Sequence, residues 1–474
     1  MGSASLLRSA AVRLVIAVVA VFVTAVAPAA AQDMSPNVTS VASLPEVRAA
    51  ISINFIDDVM FVSTVGGLYS YDVSDPTDPQ LLGALPMYVW ENEDVDVDPV
   101  RKRVFISRDP RGFTSPATPG SFPVGAVHVI DVSNPRVMTQ AGFFTLPAGH
   151  TSTCVNGCDF LWTGGPVPGV DQPSDWDGRP IFATDVRDPA NPVPCPEPID
   201  TGRNDGKTDY AHDVQVDAAG VAWVSGAGGV RGYWTRGRHR NPVTRRVEVA
   251  TPCDPVPYGG SGTPESATPS RFMHNAFRDP SARHGERILY GTEENITSDC
   301  ASSGRFVTYD LRDTLRGEGF RDTARTKHRM RALDTWTPEG AGGSSGCASA
   351  HYFSSRGDGV FANAFYEQGV RFLDVSDPQD IRQIGWWRPS DANTWAAYWH
   401  DGYVFVADLQ RGVEVLRFEG EAGRAKNVRG PNGGAARARL RMDRGFGYLC
   451  PLDAVAPSGA GVSAKADAIA LPAG

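Results

Sequence analysis

The 474-residue chain lacks most of the short motifs by which enzymes declare themselves. It has no phosphate-binding loop, no dinucleotide fingerprint and no HExxH pair. Phosphate cradling, Rossmann-type hydride transfer and helix-borne zinc hydrolysis therefore have no motif to stand on. No segment after Val26 is long and apolar enough to span a bilayer as a helix. Basic residues are outnumbered, 45 Lys+Arg against 54 Asp+Glu, for a net charge of −9. That balance argues against nucleic acid or anionic lipid as partner. Histidine is scarce too, with nine in the chain, and cysteine occurs seven times.

The one long apolar run is N-terminal. Arg8 and Arg13 precede Leu14 to Val26, and small residues follow up to Ala31. This is the grammar of an export signal over residues 1–31. The expected location is secreted, periplasmic or cell-surface, with no transmembrane span after cleavage. Export also permits disulfides, and an odd cysteine count leaves at least one unpaired within the chain. Cys154 and Cys158 flank the turn Val155-Asn156-Gly157 and can staple one hairpin. Cys195 and Cys253 end corresponding parts of successive repeats and form the second expected pair. Cys300 and Cys347 form the third.

What the chain does have is a repeat. DVSDP begins at Asp72 and Asp374, DVSNP at Asp131, DVRDP at Asp185 and a degenerate DLRDT at Asp310. The step from Asp185 to Asp310 is about twice the others, so a hidden unit lies inside it, with Arg246–Pro252 as the expected remnant of its marker. Each unit reads as four strands, as in DVDVD (94–98), RVFIS (103–107), then a third strand ending in the marker, then a fourth such as LLGALP (81–86). Alternating apolar residues punctuated by Gly, Pro and Asp favour strands over helices. The expected fold is all-β, a seven-bladed propeller of four-stranded antiparallel blades over 38–420. The segment VTSVASLP (38–45) resembles a fourth strand and is expected to complete the last blade and close the ring. Residues 421–474, rich in Gly and Ala, read as a partly disordered tail. Insertions at 109–125, 231–270 and 312–346 are expected as loops on the propeller faces.

The markers and third strands such as GVRFLDVSDP (369–378) resemble the LVIVD-repeat proteins, exported bacterial β-propellers. The resemblance implies fold and address, since that family shares no single activity.

Aligning the units on their second strands brings His150, His212, His274 and His351 to one position, the start of the innermost strand in four consecutive blades. Asp94 takes that position in the second blade, Ala50 or its neighbour in the first, and Trp395 or its neighbour in the last. Such positions converge on the propeller axis, and neutral imidazoles there suit iron, copper or zinc. Glu93, Asp94 and Asp213 are candidate carboxylates for the remaining ring N–H groups, with Glu293 and Glu294 more distant. The arrangement is similar in architecture to carotenoid-cleaving oxygenases, which hold iron with four axial histidines, and to selenium-binding proteins acting as methanethiol oxidases. Both similarities imply a metal-dependent oxidoreductase ahead of a hydrolase, acting on an unidentified small molecule or extracellular partner. The competing reading is a non-enzymatic propeller that binds protein or glycan through its face loops. Whether the chain is an enzyme is left open by its sequence.

Overall fold

The computed structural model describes residues 33–423 apart from 110–124, 166–180, 200–210, 227–228, 243, 259–270, 279–286, 296–303, 312–330 and 339–345. The leader, the tail from residue 424, Cys300 and most of the insertions at 109–125 and 312–346 lie outside the described residues. Among the described residues, no helix is long and apolar enough to cross a membrane.

Seven four-stranded antiparallel sheets follow one another along the chain. In blade 1 the strands are Ala50–Ile56, Val59–Thr64, Gly67–Asp72 and Gln80–Pro86, from the axis outward. Innermost strands of the next six blades are Asp96–Asp98, Thr151–Val155, Ala211–Val216, Arg271–Phe277, Phe353–Ser355 and Thr394–His400. Val38–Leu44 pairs antiparallel with Gly412–Phe418, so the N-terminal strand completes blade 7 as the sequence suggested. This closure leaves no unpaired third strand at the seam.

Burial is shared between neighbouring blades. Phe61 and Leu68 of blade 1 pack on Val104 and Ile130 of blade 2. Trp162 of blade 3 packs on Val224 and Tyr233 of blade 4. Tyr71 of blade 1 packs with Phe405 and Val415 of blade 7. Each such side chain contributes roughly 1.5–3 kcal/mol by leaving water. Two faces of every sheet are thus apolar, which is why second strands such as Met60–Val62 are buried without a break.

The DVSDP marker is a turn. Asp72 Oδ1 accepts from the Ser74 amide (3.0 Å), and Asp75 Oδ1 accepts from the Thr77 amide (2.9 Å). Equivalent bonds recur at Asp131, Asp185 and Asp374. Short acidic side chains bonding their own backbone two residues on favour such turns. The hidden blade is present, but its marker is not where the sequence placed it. Its third strand is Gly229–Trp234, and Trp234 takes the place of the marker aspartate. Val247–Ala250 instead pairs with Gly237–Arg240 in a separate hairpin inserted before the fourth strand, Val256–Pro257. A strand-like pattern of valines fits an added hairpin as well as a blade.

Candidate metal centre

The innermost strands carry a bulge where they meet the axis. The ladder skips one residue between Ala50 and Ser52, Ala211 and Asp213, Met273 and Asn275, and Thr394 and Ala396. The skipped residues are Ile51, His212, His274 and Trp395. A bulge leaves its residue outside the ladder and re-aims its side chain. Register in blade 2, where Asp96 pairs with Phe105 as Asn54 pairs with Phe61, puts Glu93 at this level, one residue before Asp94. The same register puts Ile51, not Ala50, at this level in blade 1. The alignment of the repeats allows Ala50 or its neighbour in blade 1 and is off by one residue in blade 2.

Glu93 and the four histidines form one fully buried cluster. His150 Nε2 and His212 Nε2 are 2.9 Å apart. Glu93 Oε2 lies 3.4 Å from each of these two nitrogens and 3.1 Å from His274 Nε2, and Glu93 Oε1 lies 3.3 Å from His351 Nε2. Adjacent ligands of one ion held at about 2.0–2.2 Å are separated by about 2.8–3.6 Å, a range that includes each of these spacings, and the donors fall into two triads that share Glu93, one with His150 and His212 and one with His274 and His351. On the far side of the axis, Ile51 and Trp395 pack in an apolar cluster with Val65, Tyr366 and Leu409.

The Nδ1 atoms of His212, His351 and His150 are committed. His212 Nδ1 donates to the His274 carbonyl (3.1 Å) and His351 Nδ1 to the Trp395 carbonyl (2.6 Å), each on the next blade round. His150 Nδ1 is bonded to the Asp109 carboxylate (2.9 Å), with Glu91 Oε2 at 3.8 Å. Carbonyls only accept, so the Nδ1–H tautomer is fixed for His212 and His351, and Asp109 favours it for His150. Their Nε2 lone pairs are left facing the cluster. Gly165 backs this arrangement at φ +69°, where a Cβ would stand 2.0 Å from His150 Cβ.

Burial, then the neighbouring His274 and His150, hold the His212 imidazole well below its ordinary range. Burial, then His351, lowers His274 to about 3. Burial alone would raise Glu93, but His351, His150, His274 and His212 together outweigh it and hold this carboxyl well below its usual range. The cluster thus sets one carboxylate among four fully buried imidazoles.

Asp94 and Asp213 do not bond an imidazole. Asp94 accepts from Thr153 Oγ1 (2.7 Å), and Asp213 accepts from Asn275 Nδ2 (2.8 Å). Both sit one residue further along their strands, in the layer next to the histidines. Burial, then the charges of Asp213 and Asp96, raises Asp94 well above the carboxylate range; burial, then Glu93, brings Asp213 to about 7. Glu293 is taken by Arg305, whereas Glu294 shares a potential ligand group with His212 and His274 and accepts from Tyr366 Oη (2.6 Å). The carboxylate that the sequence did not reveal is Asp109. It ends a second strand, at the level where blades 1 and 7 carry Val65 and Leu409, and that contrast is the signal that could have found it.

Cys154–Cys158 and Cys195–Cys253 are disulfides, as the sequence suggested. Cys347 is disulfide-bonded too, so neither thiol near a histidine, Cys154 or Cys347, is available as a ligand. The expected partner of Cys347, Cys300, lies outside the described residues. A second cluster of ligand type, Asp58, His400 and Asp401, is at the surface.

No protein-family profile and no curated protein matches the chain. Among solved structures it is similar to the β-propeller domain of Myceliophteria thermophila Cps50 (Swd1), at 10% identity and a TM-score of 0.48 over 81% of this chain and 99% of that one.

Proposed function

We propose that the protein is an exported metalloprotein, with residues 1–31 as its leader and one transition metal ion on the propeller axis. His150, His212, His274 and His351 hold the ion, Glu93 supplies an anionic oxygen, and Asp109 orients His150. The observation that carries this is the 2.9 Å approach of His150 Nε2 to His212 Nε2 while both Nδ1 atoms are engaged elsewhere. Two inward lone pairs at that distance repel unless they share a proton or ligate a common metal cation, and a nitrogen-rich set selects iron, copper or zinc. Such an ion supplies Lewis-acid or one-electron chemistry. The chain's own residues fix the imidazole tautomers, exclude water and leave the sector of Ile51 and Trp395 without a donor side chain. With its disulfides, the arrangement suits an extracellular oxidoreductase. X-ray absorption at the edge of the metal found in purified protein tests this. Imidazole scattering from three or four histidines plus oxygen is expected, and sulfur ligation or a hydrated ion would refute it. Dependence of the spectrum on dioxygen separates redox chemistry from hydrolysis.

A further inference from the structure

Next to the axial cluster lies a cavity of about 470 Å³. Asp94, Asn275 and Tyr352 border it, each one residue beyond Glu93, His274 and His351 in the chain. Its walls include Phe55, Phe277, Tyr398 and Trp399. Two features mark it as built for a ligand. Tyr352 is 1% exposed, yet its hydroxyl has no hydrogen-bond partner among the described residues. Its ring lies edge-on against His274 (4.8 Å) and His351 (5.2 Å), so the phenol joins the cavity to the histidine layer. Unpaired buried hydroxyls are costly and point to a missing partner. The second feature is a set of carboxyl groups. Asp94 and Asp96 border the cavity and Asp213 stands behind Asn275, while the guanidinium on the lining, Arg356, is held by Asp358 (2.7 Å) and lies over Trp399. Asp96 is satisfied by the Cys154 and Val97 amides, whereas Asp94, which borders the cavity, has one oxygen bonded to Thr153.

We propose that this cavity binds a small organic amine, its ammonium between Asp94 and the Tyr352 hydroxyl and its hydrocarbon body among Phe55, Phe277, Tyr398 and Trp399. An ammonium gives hydrogen bonds to both oxygens at once, which a neutral alcohol of the same shape does not, and aromatic faces attract the cation. Only the amine's role as substrate rests on the axial-metal reading; its binding needs no metal.

The test is calorimetric titration of the full-length protein, metal-loaded and metal-stripped, with 2-phenylethylamine and its neutral isostere 2-phenylethanol. The amine is expected to bind at least about tenfold tighter than the alcohol in both forms. Asp94→Asn removes that preference, and Trp399→Leu weakens both probes. Equal affinity for amine and alcohol in the wild type, or a preference that survives Asp94→Asn, overturns the proposal. The wild-type comparison stands even if a variant misfolds. Protein that holds no axial metal as purified, yet prefers the amine, would sink the metal reading and leave this one intact. An axial metal without amine preference would do the reverse.

Discussion

Replacing Asp109 by Ala separates a positioned ligand from a merely buried one. In the protein, Asp109 holds His150 through a 2.9 Å bond to Nδ1, and the ring's Nε2 faces Glu93 and His212. Removing the carboxylate frees the ring to turn and lowers its basicity. Loss of such an outer partner weakens metal binding by about 10–100-fold, or about 1.4–2.8 kcal/mol. The metal-free protein loses about 1–3 kcal/mol for a buried ring N–H without its acceptor. Competition against a chromophoric chelator measures the first quantity and denaturant unfolding of stripped protein the second. Asp109→Asn, which keeps an acceptor oxygen, falls between wild type and Ala. Unchanged metal affinity in Asp109→Ala would refute the claim that His150 is a ligand held by this bond.

Other perturbations probe the frame around the site. Gly165→Ala brings a Cβ onto His150 at a left-handed backbone position and is expected to weaken metal binding more than tenfold in the same chelator assay, while far-ultraviolet circular dichroism stays that of a propeller. Asp408 is raised from 3.8 to about 6, chiefly by burial. Its folded pKa exceeds the unfolded one, so its contribution to stability is full below about pH 4 and is lost as pH rises through 6, a change of about 3 kcal/mol. The unfolding free energy of wild type minus that of Asp408→Asn is therefore expected to fall over that window; a flat difference would contradict the assignment. For the disulfides, chain entropy predicts a loss of about 4 kcal/mol for Cys195→Ala with Cys253→Ala, which are 58 residues apart, and about 2 kcal/mol for Cys154→Ala with Cys158→Ala, 4 residues apart, both read by urea unfolding.

The blades were legible because the marker turn is chemical. Asp72 and Asp75 bond their own backbone two residues on, and the same kind of bond recurs at Asp131 and Asn134. The blade with Trp234 in place of the aspartate was legible only as a gap in the spacing. The histidines were legible because scarcity made their recurrence visible. The level of Glu93 was not, since it precedes the short first strand Asp96–Asp98 and an offset of one residue puts another acid, Asp94, in its place. Asp109 stayed hidden for another reason. It stands 41 residues from His150, at the end of a different strand, and only the sheet brings the two together. Tyr352 was hidden by its neighbour: beside His351, an aromatic residue reads as packing, and its missing hydrogen-bond partner exists only in three dimensions.

The most direct measurement is elemental analysis of protein purified without an affinity tag. It should be made beside the variant in which His150, His212, His274 and His351 are all alanine, with circular dichroism confirming the fold. One transition metal ion per wild-type chain, absent from the variant, is the predicted result. Substoichiometric metal in the wild type, or the same metal content in both proteins, would contradict an axial metal centre.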